Sequence, residues 1–194
     1  MKQYKLIVFQ LILILICSLV LLSCATTRPA TDAVIHPSDL LCQRCKPLQV
    51  RYWNDLLSLS KRVPFDMKVN TMGFIDWKDS TYFSIQLVGA HYNTIRTTIT
   101  TRLTSEFHEK YQETMRLILK ENFINEIDGV HIVLICSSSN FVTKKERQSN
   151  TLEIIARTAI IKQFLNNDIT AQDLLDRSVV FIDAQRTRFM LEMM

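Results

Sequence analysis

The chain is 194 residues long, with 23 Lys and Arg against 19 Asp and Glu and a net charge of +4. Its three glycines, Gly73, Gly89 and Gly129, stand apart, which excludes a glycine-rich phosphate loop, a dinucleotide-binding turn and the glycine-flanked serine of an esterase elbow. Without the first 23 residues, 17 of which are hydrophobic, the charge falls to +2 and the apolar share to roughly 43%, an ordinary globular balance that predicts neither a nucleotide nor a nucleic-acid partner.

Lys2 and Lys5 open the chain, and residues 6–22 follow as an apolar run broken only by Gln10 and Ser18. A bilayer core of ~30 Å needs roughly 20 helical residues, so this run fits a signal peptide better than a membrane span. It ends in Leu21-Leu22-Ser23-Cys24, an aliphatic residue and a small residue before a cysteine. That ending resembles the lipobox of bacterial lipoproteins, with Leu21 and Ser23 at its −3 and −1 positions. The resemblance implies cleavage between Ser23 and Cys24, a diacylglycerol thioether on Cys24 and an acyl chain on its new amine. A thiolate is the side chain suited to such alkyl transfer. Two or three acyl chains anchor far more firmly than one. Ala25 at the following position resembles an outer-membrane address. No other cofactor is implied. Residues 25–37 are small, polar and carry Pro29 and Pro37, so 24–37 reads as a lipidated tether of ~20 Å r.m.s. reach. The division expected is 1–23 signal peptide, 24–37 tether and 38–194 one domain.

Within that domain, Ser38-Asp39 caps a short turn through Cys45, limited by Pro47. Residues 50–59 form a helix with Val50, Trp53, Leu56 and Leu57 on one face, closed before Pro64. A strand over 67–77, a turn at Lys78-Asp79-Ser80 and a strand over 81–88 come next. Ile95, Thr97, Ile99, Thr101 and Leu103 alternate with Arg96, Thr98, Thr100 and Arg102, which predicts a third strand of an antiparallel meander. Phe107, Tyr111, Met115, Ile118 or Leu119, Phe123 and Ile127 then recur at helical spacing, predicting a helix over 104–128 capped by Gly129. The run 130–136 is apolar enough for a central strand, and 137–149 reads as an exposed loop containing Lys144, Lys145 and Arg147. Asn150-Thr151-Leu152-Glu153 has the form of a capping box, opening a helix to Asn166 that turns Leu152, Ile155, Ala159, Ile160 and Phe164 inward. Thr170 and Asp173 cap a shorter helix ending near Arg177. Strands over 178–183 and 186–193 close the chain. The expected fold is α+β, a single domain with helices packed on one face of a mainly antiparallel sheet.

Chemistry is sparse in this stretch. Cys42-Gln43-Arg44-Cys45 has disulfide spacing and, with Lys46, a likeness to the C-x-x-C-K of thioredoxin-like oxidoreductases. It lacks their preceding strand and their later proline. A zinc site built from Cys42, Cys45 and His36, completed by His91, His108, His131 or Cys136, has no second matching pair, so no metal is expected. Cys136 reads as a small buried hydrophobe and His131 as a hydrogen-bonded core histidine. His108-Glu109 begins a zinc-protease helix motif, but Gln112 stands where its second histidine belongs. No triad, carboxylate pair or nucleotide site is apparent. The leading expectation is a non-enzymatic, lipid-anchored protein of the bacterial envelope, outer membrane included, that binds or assembles with an envelope protein partner. Two alternatives stay open. One is a small-ligand carrier with a pocket between the long helix and the sheet, lined by Phe107, Tyr111 and Met115. The other is an envelope thiol oxidoreductase using Cys42 and Cys45.

Overall fold

A computed structural model describes residues 30–140 and 145–192. Six strands form one sheet in chain order: β1 (Gly73–Trp77), β2 (Ser80–Asn93), β3 (Gly129–Asn140), β4 (Lys145–Arg157), β5 (Val179–Ile182) and β6 (Gln185–Arg186). Every neighbouring pair is antiparallel except β2 and β3, which run parallel from Tyr82 opposite Gly129 to Asn93 opposite Ser139. A parallel pair needs a crossover, and a helix supplies it. This is the expected α+β domain with a mainly antiparallel sheet.

The helices are α1 (Lys46–Arg51), α2 (Trp53–Arg62), α3 (Ile99–Glu106), α4 (Gln112–Ile118), α5 (Thr158–Leu165) and α6 (Ala171–Asp176). A π-helical turn, Phe107–Tyr111, joins α3 to α4, and a 3-10 turn, Asn122–Asn125, follows. Their apolar side chains share one core with Phe74, Phe83, Ile85, Leu87, Val130, Ile132, Leu134, Leu152, Ile154 and Val180. These strand residues alternate along the chain, so they occupy a single face of the sheet. Tyr82, Val133 and Ile155 on the other face are also buried, yet stand outside that core.

Local chemistry explains several boundaries. With so little glycine, both tight hairpins use other residues in the left-handed region: Lys78 and Asp79 at φ 52° and 61°, Asp183 and Ala184 at 49° and 64°. Val63 is extended before Pro64, which ends α2. The Thr170–Asp173 capping box is present in full.

Other expectations need correction. The alternating segment 95–103 is not a strand: Thr98 Oγ1 accepts the Thr101 N–H at 3.0 Å and starts α3, so its second half is helical. The crossover helix therefore begins at Ile99 and ends at Ile118, well short of 128. Gly129 is no helix cap but the first residue of β3, where a Cβ would lie 2.3 Å from the Ala156 carbonyl oxygen and 2.6 Å from the Tyr82 ring. The expected loop over 137–149 is largely strand. β4 runs through the apparent capping box, because Leu152, Ile154 and Ala156 alternate onto the core face and leave only Thr158–Leu165 for helix.

Smaller departures concern the ends of elements. Pro47 lies in the first turn of α1 rather than limiting it, and Val50 is exposed. The last strand shrinks to Gln185–Arg186. The body also starts before Ser38: Ala33 and Val34 are buried, and the Ile35 N–H donates to the Met72 carbonyl at 2.9 Å. Residues 32–35 thus form an outer rung beside residues 70–72, which lead into β1, within the stretch expected to be tether.

Candidate functional site

Two polar constellations lie on opposite faces of the sheet. The first is buried beneath α3, at the carboxyl ends of the parallel strands. Arg102, Glu106 and Lys110 recur every four residues, so one helical face turns three charges inward. Glu106 Oε1 accepts the Ala90 N–H at 2.7 Å and the Tyr92 hydroxyl at 2.8 Å. Its Oε2 lies 3.3 Å from Lys110 Nζ, which also donates to Glu109 at 3.0 Å. Gly89 makes room for this carboxylate, since a Cβ there would stand 2.3 Å from Glu106 Cδ. Burial, reinforced by Glu106, pushes the Tyr92 phenol up to about 12. Burial pulls the Lys110 ammonium down, but Glu109 and Glu106 outweigh it and the net direction is up.

Arg102 is tied into the same layer. It donates to Asn150 Oδ1 at 3.0 Å, and Asn150 Nδ2 donates to Asp183 at 2.9 Å. Cys136 pairs with Asn150 across β3 and β4; burial raises its thiol, which keeps it protonated and unreactive. These groups bind one another and the backbone, with Arg102 Nε left without a hydrogen-bond partner among the described residues, so their first consequence is a fixed register between α3 and the sheet.

The second constellation occupies the half-exposed face. Register places Ser84, His131 and Ile155 side by side in one row, and Val133, Glu153 and Phe181 in the next. Ser84 Oγ is 3.0 Å from His131 Nδ1, and His131 Nε2 is 3.6 Å from Glu153 Oε2. The ring proton therefore belongs on Nε2, facing the carboxylate, and Ser84 is the donor to Nδ1. Serine, histidine and glutamate in line have the elements of a nucleophilic triad. Two features oppose that chemistry. Ser84 is buried, and the N–H groups around it sit in a strand paired on both sides, leaving none aimed at a developing oxyanion.

Burial lowers the His131 pKa more than Glu153 raises it. The unfolded chain therefore takes up this proton first as pH falls. His131 contributes stability that is present above an ordinary histidine pKa of about 6.5 and is lost below it. The facing charge is Glu153, with Arg157 next on the same side of β4. Unfolding free energy measured by urea titration is expected to drop between pH 7 and pH 5, and His131→Gln is expected to flatten that slope. An unchanged slope would assign it to other groups.

Of the residues singled out from sequence, Ser23 and Cys24 lie outside the described residues, as do the signal peptide and Lys144. Cys42 and Cys45 are joined as a disulfide at a Cα separation of 5.2 Å, and the Cys45 N–H donates to Cys42 Sγ. His36 lies against Trp53, His91 bonds Ser137 and Ser139, and His131 bonds Ser84, so the histidines are scattered. Among the described residues, no group of three or more His, Cys, Asp or Glu is placed to hold a metal. Phe107, Tyr111 and Met115 are packed in the core, with the first two rings stacked 4.9 Å apart.

The residues missed from sequence are Arg102, Glu106, Lys110, Ser84 and Glu153. The spacing 102–106–110 was the available signal, but charges at that spacing usually mark a solvated helix face. No helix among the described residues is long and apolar enough to cross a membrane. The chain matches no protein-family model, no curated protein and no solved structure.

Proposed function

We propose that this chain is a bacterial envelope lipoprotein whose folded body is a non-enzymatic binding or assembly module held at the outer membrane. The observation that carries the proposal is Leu21-Leu22-Ser23-Cys24 at the end of a 6–22 apolar run that follows two lysines. Cys24 would bear the diacylglycerol thioether, and its freed amine the further acyl chain. The body's polar groups support the non-enzymatic part. The buried charges bind one another and the backbone, and the Ser84–His131–Glu153 line has no oxyanion donors.

The test is metabolic labelling with a palmitate analogue in a bacterium expressing the full chain, with fractionation and intact mass. Wild type is expected to carry label, lose residues 1–23 and sediment with outer membranes. Cys24→Ser is expected to lose essentially all label and to keep its signal segment uncut. Equal labelling of the two proteins would refute lipidation at Cys24. Crosslinking in intact cells tests the module, with a specific envelope protein expected to be captured by wild type and lost when the body is deleted.

A further inference from the structure

We infer that the β1 edge of the body is a membrane-contacting surface that lays the loop around Leu41 into the lipid headgroup and upper acyl region. This rests on acylation of Cys24. Only residues 25–29 separate that cysteine from Ala30, where the first described turn begins. At no more than ~3.6 Å per residue, the tether holds the start of the body within ~20 Å of the anchored cysteine. Residues 32–35 then run parallel to residues 70–72, just before β1, through the Val34–Met72 bridge, and so head in the direction of the β1–β2 hairpin. The strand that meets the bilayer first is therefore an outer strand of the sheet, not its middle.

What this edge presents is unusual for water-facing surface. Leu41 is 96% exposed and Val50 61%, the two highest values among the described large hydrophobic residues. Val69, in the segment leading into β1, is exposed too. Leu41 is not loose. Its neighbour Leu40 is buried, the Cys42–Cys45 disulfide closes the next turn, and Arg44 reaches across to the hairpin. The Arg44 guanidinium donates to the Asp76 carboxylate at 3.2 Å and to the Asp79 carbonyl at 2.9 Å. A leucine fixed outward by three separate restraints forgoes little conformational freedom when it enters lipid.

The surroundings suit an interface. Lys78 Nζ sits 4.6 Å over the Trp77 ring at the hairpin tip, and Lys68 is exposed beside Val69. Indole rings and lysine stems are groups that bridge acyl chains and headgroups. The arginine that braces the loop is neutralised by Asp76, so contact depends on apolar insertion rather than on anionic lipid.

Depth-dependent quenching tests the orientation. The acylated protein is purified, reconstituted into phosphatidylcholine vesicles and compared with the same vesicles carrying bromine on the acyl chains. Leu41→Trp adds a reporter at a position too exposed to disturb packing. Ile95→Trp adds a matched control on an exposed apolar residue beyond the far end of β2, roughly 40 Å from the hairpin tip. The extra emission at position 41 is expected to fall at least twofold with brominated lipid, and that at position 95 to remain. Adding Val50→Glu to Leu41→Trp is expected to reduce the quenching. Emission at position 41 that ignores bromine, or equal quenching at both positions, in protein whose mass shows an acylated Cys24, overturns the inference alone. A mass showing free Cys24 overturns it together with the lipoprotein proposal.

Discussion

Glu106→Ala is expected to destabilise the protein by about 3–5 kcal/mol, the usual cost of removing one member of a buried ion pair. The Ala90 N–H and the Tyr92 hydroxyl lose their acceptor together, and the Lys110 ammonium loses its buried counter-charge while keeping its bond to Glu109. Ala90 and Tyr92 belong to the last part of β2, so the loss falls on the strand end that leads into the crossover helix. Glu106→Gln keeps an oxygen for the two neutral donors and should cost less, about 1.5–3 kcal/mol for the lost charge. Gly89 offers an internal check. Gly89→Ala alone drives a methyl group into the Glu106 carboxylate, whereas in Glu106→Ala that collision is gone. The double mutant should therefore be more stable than the sum of the two single effects. Urea unfolding of the four proteins measures this directly, and strict additivity would mean that the carboxylate lies elsewhere.

Phe123→Ala is expected to cost about 3–5 kcal/mol as well, by leaving a cavity where four aromatic rings now meet. Phe123 is fully buried, with ring centroids 5.0 Å from Phe83, 5.3 Å from Phe74 and 5.9 Å from Tyr52. It joins β1, β2 and the residue between α1 and α2 through one side chain. Phe123→Leu keeps most of the volume and should recover more than half of the loss. Both are read from the urea midpoint, with near-UV circular dichroism reporting the aromatic cluster. A loss under 1 kcal/mol for the alanine variant would show that the site collapses around the gap.

Phe123 also shows how far local pattern carries. Its burial was legible because apolar residues recur every three or four positions from Phe107 to Ile127. Its setting was not: the regular helix stops at Ile118, and Phe123 lies in a separate 3-10 turn that keeps the same spacing. Strands were readable where a turn or a continuous apolar run marked them, as at Lys78-Asp79 and 130–136. They failed where two periods competed. In 95–103 the β-branched residues alternate, yet Thr98 offers a helix cap, and the buried positions Leu103, Glu106 and Phe107 follow the helical period. In 150–157 the reverse holds. Asn150 looks like a cap, but its side chain is engaged by Arg102 and Asp183, and β3 requires an antiparallel neighbour. The buried charges of Arg102, Glu106 and Lys110 were unreadable for a related reason, because only the sheet beneath them turns that helix face into an interior.

The single parallel joint between β2 and β3 has a consequence for how the chain acquires its structure. Every strand pairs with the strand next to it in sequence, and three of the four antiparallel links are short. The hairpin of β1 with β2 and the hairpin of β3 with β4 can each close locally on a microsecond scale. Bringing the two together requires closure across residues 94–128, whose length-dependent entropy alone is about 3 kcal/mol. That step also buries the Glu106 network and seats α3 on the sheet. The barrier to folding should therefore lie at this seam, with the β1–β2 and β3–β4 hairpins forming early and meeting late.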